Sequence, residues 1–151
     1  MSSLYDVGRR SFLTPTTVGA WTGQIDWVGH QFEVALVSQA YADVPNLLSA
    51  HRSEADMRNV AGAVVASTPL VNNNATTSGI ATANNTVFSA VTGSQVVGVV
   101  IYRQNGGVPP VPANNVLVAF INTAISGLPV TPNGGDITIL WNGGTGEIFR
   151  L

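Results

Sequence analysis

Gln31-Phe32-Glu33-Val34-Ala35-Leu36-Val37 is the stretch on which the fold turns. Successive side chains of an extended chain point to opposite sides, so Phe32, Val34 and Leu36 share one face and Gln31, Glu33, Ala35 and Val37 the other. That alternation predicts a half-buried β-strand. Just before it, residues 23–28 read as a short partner strand, turned back by Gly29 and His30.

The same reading extends toward the C-terminus. Residues 60–66, 75–83, 86–91, 95–103 and 116–122 are short β-prone runs separated by clusters of Gly, Pro and Asn. In 136–141, Ile137, Ile139 and Trp141 alternate with Asp136, Thr138 and Leu140; a glycine-rich turn at 142–146 then returns the chain, hairpin fashion, as a last strand at 147–151. Residues 105–115, with Pro109, Pro110 and Pro112, form a stiff exposed connection. Helical signals are confined to 44–59. There Asp43 can cap a turn containing Pro45, Ser53 and Asp56 have the spacing of a capping box, and Glu54 stands four residues before Arg58. Residues 1–13 fit neither helical nor alternating spacing and read as an extended N-terminal arm, folded back on its own core or reaching onto a neighbour. The expectation is an all-β fold, a β-sandwich or partly open barrel, with short helical turns in one crossing loop. It comprises the arm at 1–13 and a single β-rich domain at 14–151.

Composition narrows the function. Charged residues make up 9% of the 151, against roughly 25% in a typical soluble domain, and the chain has no lysine. Lysine is the residue that most often guards sheet edges and keeps surfaces hydrated. Its absence points to a protein covered by other subunits in a durable assembly; the alternative is a compact monomer whose surface is hydrated by Asn, Thr, Ser and Gln. A net charge of -2 with six scattered arginines offers no basic stripe for nucleic acid. Residues 96–102 form the longest notable apolar run, too short to span a membrane, and Thr14, Pro15, Thr16 and Thr17 interrupt what would be the core of an export signal.

Chemistry-bearing patterns are sparse. With no cysteine, thiol nucleophiles and Cys-based zinc sites are excluded, and His30 and His51 do not stand at metal-binding spacing. The chain has no GxSxG elbow and no phosphate-cradling glycine loop, so no enzyme, cofactor or metal is expected. Asn72, Asn73, Asn74, Asn84 and Asn85 would suit sugar hydroxyls, though Asn also gathers in β-loops because it tolerates left-handed backbone. Trp21, Trp27 and Trp141 read as packing anchors.

Three segments carry a resemblance: residues 4–13 (LYDVGRRSFL), residues 32–37 (FEVALV) and, above all, residues 128–139 (LPVTPNGGDITI) followed by Trp141-Asn142. Together with Val99-Val100-Ile101-Tyr102 and Leu117-Val118-Ala119-Phe120-Ile121, they are similar to a family of small virion proteins of tailed bacteriophages. That family spans head decoration, or cement, proteins and minor tail components. The resemblance implies a non-catalytic assembly protein, made in the bacterial host cytoplasm and built into the particle. On that basis the expected role is capsid decoration: self-association, with a trimer favoured over a dimer, and binding to the major capsid protein at the head surface. The alternatives are a tail component or, from a different class, a glycan-binding β-domain. Leu4, Tyr5, Arg9, Arg10 and Phe12 are the candidates for contact with the capsid, since Arg can form paired hydrogen bonds to carboxylates.

Overall fold

A computed structural model describes residues 2–107, 109–123, 125 and 127–151. Its elements are β1 (Ser2–Leu4), α1 (Asp6–Leu13), β2 (Thr16–Val18), β3 (Trp21–Gly23), β4 (Phe32–Ser38), α2 (Gln39–Ala42), α3 (Leu47–Ala50), α4 (Glu54–Arg58), β5 (Val64–Pro69), β6 (Asn74–Ala75), β7 (Ile80–Thr82), β8 (Thr86–Phe88), β9 (Val96–Arg103), β10 (Val116–Ile121), β11 (Ile137–Ile139) and β12 (Glu147–Arg150). Short 3-10 turns occupy Pro112–Asn114 and Trp141–Gly144. The fold is all-β and sandwich-like. A five-stranded antiparallel sheet in the order β1-β10-β9-β4-β5 is accompanied by the smaller sheets β12-β7-β6, β11-β8 and β2-β3, and none closes into a barrel.

The decisive strand is β4, and it is buried on both sides, not on one. From Val34 to Ser38 every residue is buried, as are those of β10 and nearly all of β9. Register explains it: Ala35 lies opposite Val100, which lies opposite Phe120, and the Tyr41 ring of α2 stands edge-on to Phe120 at 6.0 Å. On the other face Trp27 meets Phe32 at 4.5 Å and Phe149 of β12 at 5.0 Å. Helical turns thus cover one face of the sheet and the small sheets cover the other. Alternation in the sequence records only that Glu33 and Gln31 are polar; Ala35 and Val37 on their side are core residues.

Four local expectations are corrected. Residues 24–28 form no strand; the hairpin lies earlier, at β2 and β3, turned by Gly19 in left-handed backbone at φ 57°. Asp43 closes α2, while Asn46 precedes α3. The terminal strands do not pair with each other, because β11 joins β8 and β12 joins β7. And residues 2–13 are not an extended arm. Val7, Gly8 and Ser11 form the buried face of α1, but two of the three carry little or no apolar side chain, so the pattern does not show as hydrophobicity. Ser11 is reconciled with burial by donating its hydroxyl to the Val7 carbonyl at 2.6 Å. Gly8 allows α1 to lie directly on the backbone of β10.

The 44–59 region holds the predicted capping box. Ser53 accepts from the Asp56 N–H while the Asp56 carboxylate accepts from the Ser53 N–H at 2.9 Å, and Glu54 pairs with Arg58.

Candidate interaction face

The structure divides the five proposed contact residues into three groups. Tyr5 is fully buried and points inward: its hydroxyl lies 2.6 Å from that of Tyr41, which is 3.3 Å from His51 Nδ1. Burial pushes both phenols up, well beyond any physiological titration, so they stay neutral members of the core. Arg10 faces the other flank of α1, beside Asp6 and Arg52. Leu4, Arg9 and Phe12 are brought together along one groove, where Leu4 is buried at the floor, Phe12 is half-buried and Arg9 is exposed.

That groove is built by both ends of the described chain. β1 and α1 form one wall, Phe149, Arg150 and Leu151 form the other, and Leu48 of α3 closes one side. The two walls touch through Phe12 and Phe149, whose rings are 5.9 Å apart. Leu13 is 78% exposed and Leu151 60% exposed. Beyond Phe12 and Leu151 lies a second depression bordered by Trp27 and the exposed Val28. An apolar seam of this kind is unusual on a surface that contacts only water. Its charged side chains are Arg9 and Arg150. β1 and β12 are also outer strands of their sheets, each paired on one side only. Sequence reading missed Leu13, Leu48 and Leu151, because nothing in a run such as Phe12-Leu13 shows which residue turns inward until the helix is known.

A second polar cluster lies within the fold. Tyr102 donates to Glu33 Oε2 at 2.5 Å and Gln104 donates to Glu33 Oε1 at 2.8 Å. Glu54, 4% exposed, accepts from Arg58 at one oxygen and from Asn115 Nδ2 at 2.6 Å at the other. Burial, then the bond to Glu33, raises the Tyr102 phenol, which remains a donor. Each carboxylate oxygen is already engaged by another side chain, an arrangement that braces α4 against the sheet.

The Asn-rich loops also work structurally. Asn72 adopts left-handed backbone at φ 55°, Asn73 donates to the Trp27 carbonyl, and the Trp141 indole donates to the Asn84 carbonyl at 2.9 Å. Trp21, Trp27 and Trp141 are all buried, so among the described residues no exposed tryptophan stands beside these loops as a sugar platform. Among the described residues no group of three or more His, Cys, Asp or Glu is placed to hold a metal ion, and no helix is long and apolar enough to cross a membrane. Compared with models of known protein families and with curated proteins, the chain matches none.

Proposed function

We propose that this protein is a structural component of a tailed-phage particle, a decoration or cement protein that self-associates and binds the major capsid protein at the head surface. Support comes from the resemblance of its end segments to small virion proteins, from the scarcity of charge and from the groove between α1 and β12. The groove carries the proposal: Leu13 and Leu151 stand largely in solvent on a protein with few ionic groups to keep apolar surface apart. Burying a leucine fully is worth about 1.5–3 kcal/mol, so each supplies roughly tenfold or more in affinity at an interface. Arg9 and Arg150 flank the seam and select a partner with carboxylates at its rim. Many symmetric copies on one shell then multiply modest contacts into durable attachment.

The test is binding of the purified protein to heads that lack it, measured by sedimentation and located by image reconstruction. Attachment should survive about 1 M salt, where the screening length is about 3 Å and rim ion pairs are lost. Leu13→Glu should weaken it at least tenfold while leaving the melting temperature within a degree or two. Density on the tail would move the protein to the other branch of the resemblance. A protein that stays monomeric at high concentration and binds no part of the particle would end the proposal.

A further inference from the structure

Asparagine followed by glycine is a chemically labile pair, because a glycine nitrogen, with no Cβ beside it, can closely approach the side-chain amide. The chain holds three such pairs, Asn105-Gly106, Asn133-Gly134 and Asn142-Gly143, and the fold treats them differently. At the second, the Gly134 N–H donates to the Val91 carbonyl at 2.8 Å, and Asn133 Oδ1 accepts from the Gly135 N–H at 3.0 Å. At the third, Asn142 lies in the 3-10 turn of Trp141–Gly144 and its Nδ2 donates to Glu147 Oε2 at 2.8 Å. At the first, neither the Gly106 N–H nor Asn105 Nδ2 has a hydrogen-bond partner among the described residues. Gly106 is exposed, in left-handed backbone at φ 57°, with open space where a Cβ would stand. Asn105 is half-buried and held from behind: its backbone N–H donates to Asn115 Oδ1 at 2.8 Å, and its own Oδ1 accepts from Arg103 Nη1 at 3.1 Å. Arg103 ends β9 at 8% exposure, stands 4.6 Å from the centre of the Trp21 ring, and pairs with no carboxylate among the described residues. A guanidinium keeps its charge in a protein, and a buried charge without a counter-charge is costly. Negative charge on Asn105 Oδ1 is therefore favoured twice, while it develops during a reaction and once it is permanent.

We propose that Asn105 is a self-modification site, at which the side-chain amide is converted in place to a carboxylate that becomes the counter-ion of Arg103. The Gly106 nitrogen attacks Asn105 Cγ and a new N–C bond forms. Nδ2 leaves as ammonia, taking up the proton that the Gly106 nitrogen gives up. Water then opens the cyclic imide at Cγ: its oxygen bonds to that carbon, the bond from Cγ to the Gly106 nitrogen breaks, and the nitrogen regains a proton. The sum is amide plus water giving carboxylate plus ammonium, with no oxidant or reductant. Arg103 Nη1, bonded to the oxygen on Cγ, draws electrons from that carbon in both steps. It thereby favours opening to aspartate over opening at the backbone carbonyl, which would give isoaspartate. The site is separate from the groove lined by Arg9 and Arg150 and does not depend on the virion reading.

The test ages the full-length protein in mildly alkaline buffer and follows each Asn-Gly pair by peptide mapping and mass spectrometry. The mass gain marks conversion, fragmentation locates it, and elution separates aspartate from isoaspartate. Expected is conversion of Asn105 several-fold faster than that of Asn133, with aspartate as the main product. In guanidinium chloride the two rates should converge. Arg103→Gln should slow conversion at Asn105 and leave Asn133 unchanged. Asn105→Asp, which installs the product directly, should melt about 2–4 °C above the wild type, and that gain should vanish when combined with Arg103→Gln. Should Arg103→Gln fail to fold, ageing of the wild type and melting of Asn105→Asp still decide. Asn105 converting no faster than Asn133, isoaspartate as its main product, or Asn105→Asp melting no higher than the wild type overturns the proposal.

Discussion

Gly8→Ala should destabilise the protein, although alanine is the better helix former. A methyl group at Gly8 would lie 2.7 Å from the Val118 carbonyl oxygen, 2.8 Å from that of Leu117 and 2.8 Å from Val118 Cα. Ordinary contact begins near 3.5 Å, so α1 would have to lift by ~0.7 Å. The obstacles are backbone atoms of β10, a strand buried along its whole length, and cannot swing aside as a side chain would. Lifting α1 strains the Tyr5 N–H bond to Val118 at 3.0 Å and the contact of the Tyr5 and Tyr41 hydroxyls at 2.6 Å. Overpacking costs about 1–3 kcal/mol, a weakened buried hydrogen bond adds about 1, and the gain in helix propensity returns about 1. The net loss is about 2 kcal/mol, or roughly 4–8 °C in melting temperature for a domain of this size. Urea unfolding should show a lower midpoint with an unchanged slope. Arg9→Ala, one residue on and exposed, controls for helix propensity and should fall within about 0.5 kcal/mol of wild type. A Gly8→Ala protein as stable as wild type, or more so, would refute the close docking of α1 on β10.

Removing residues 148–151 deletes most of β12 and the buried Ile148 and Phe149, each worth about 1.5–3 kcal/mol. Melting should fall by about 10 °C or more, and unaltered melting would show that β12 is dispensable. Asp56 gives a pH signature. Burial alone would raise its carboxyl, but the N–H groups of Arg52 and Ser53 and the Ser53 hydroxyl outweigh it, and its pKa lies below the ordinary 3.8. A depressed folded-state pKa means that Asp56 contributes its full stability above pH 3.8 and loses it as pH falls through the lowered value. The stability gap between wild type and Asp56→Asn, followed by chemical denaturation, should therefore narrow below about pH 4. A gap constant down to pH 2 would contradict the capping box as its source.

The sheet was largely legible because β4, β9 and β10 are apolar runs bounded by turn residues, and that signal needs no partner to be read. What escaped was tertiary. A strand looks half-buried from Gln31 and Glu33, yet its second face is covered by α2, and Glu33 satisfies its charge with Tyr102 and Gln104. The capping box at Ser53 and Asp56 was visible because its partners are three residues apart. The helix at 6–13 was not, since two of the three residues on its buried face, Gly8 and Ser11 beside Val7, serve by small size and not hydrophobicity. Of the proposed contact residues, Leu4, Arg9 and Phe12 meet in one groove, while Tyr5 serves the core and Arg10 the opposite flank.

The order of strands in the large sheet also sets a timetable. Ser2 pairs with Ile121, so β1 waits for β10 to emerge from the ribosome before its backbone is satisfied. At about 5–20 residues per second that wait lasts roughly 6–24 s. β4 likewise waits for β9 on its inner edge, with only β5 available sooner. A nascent chain without lysine therefore carries incomplete sheet edges for seconds, a window in which those edges are open to pairing with other chains.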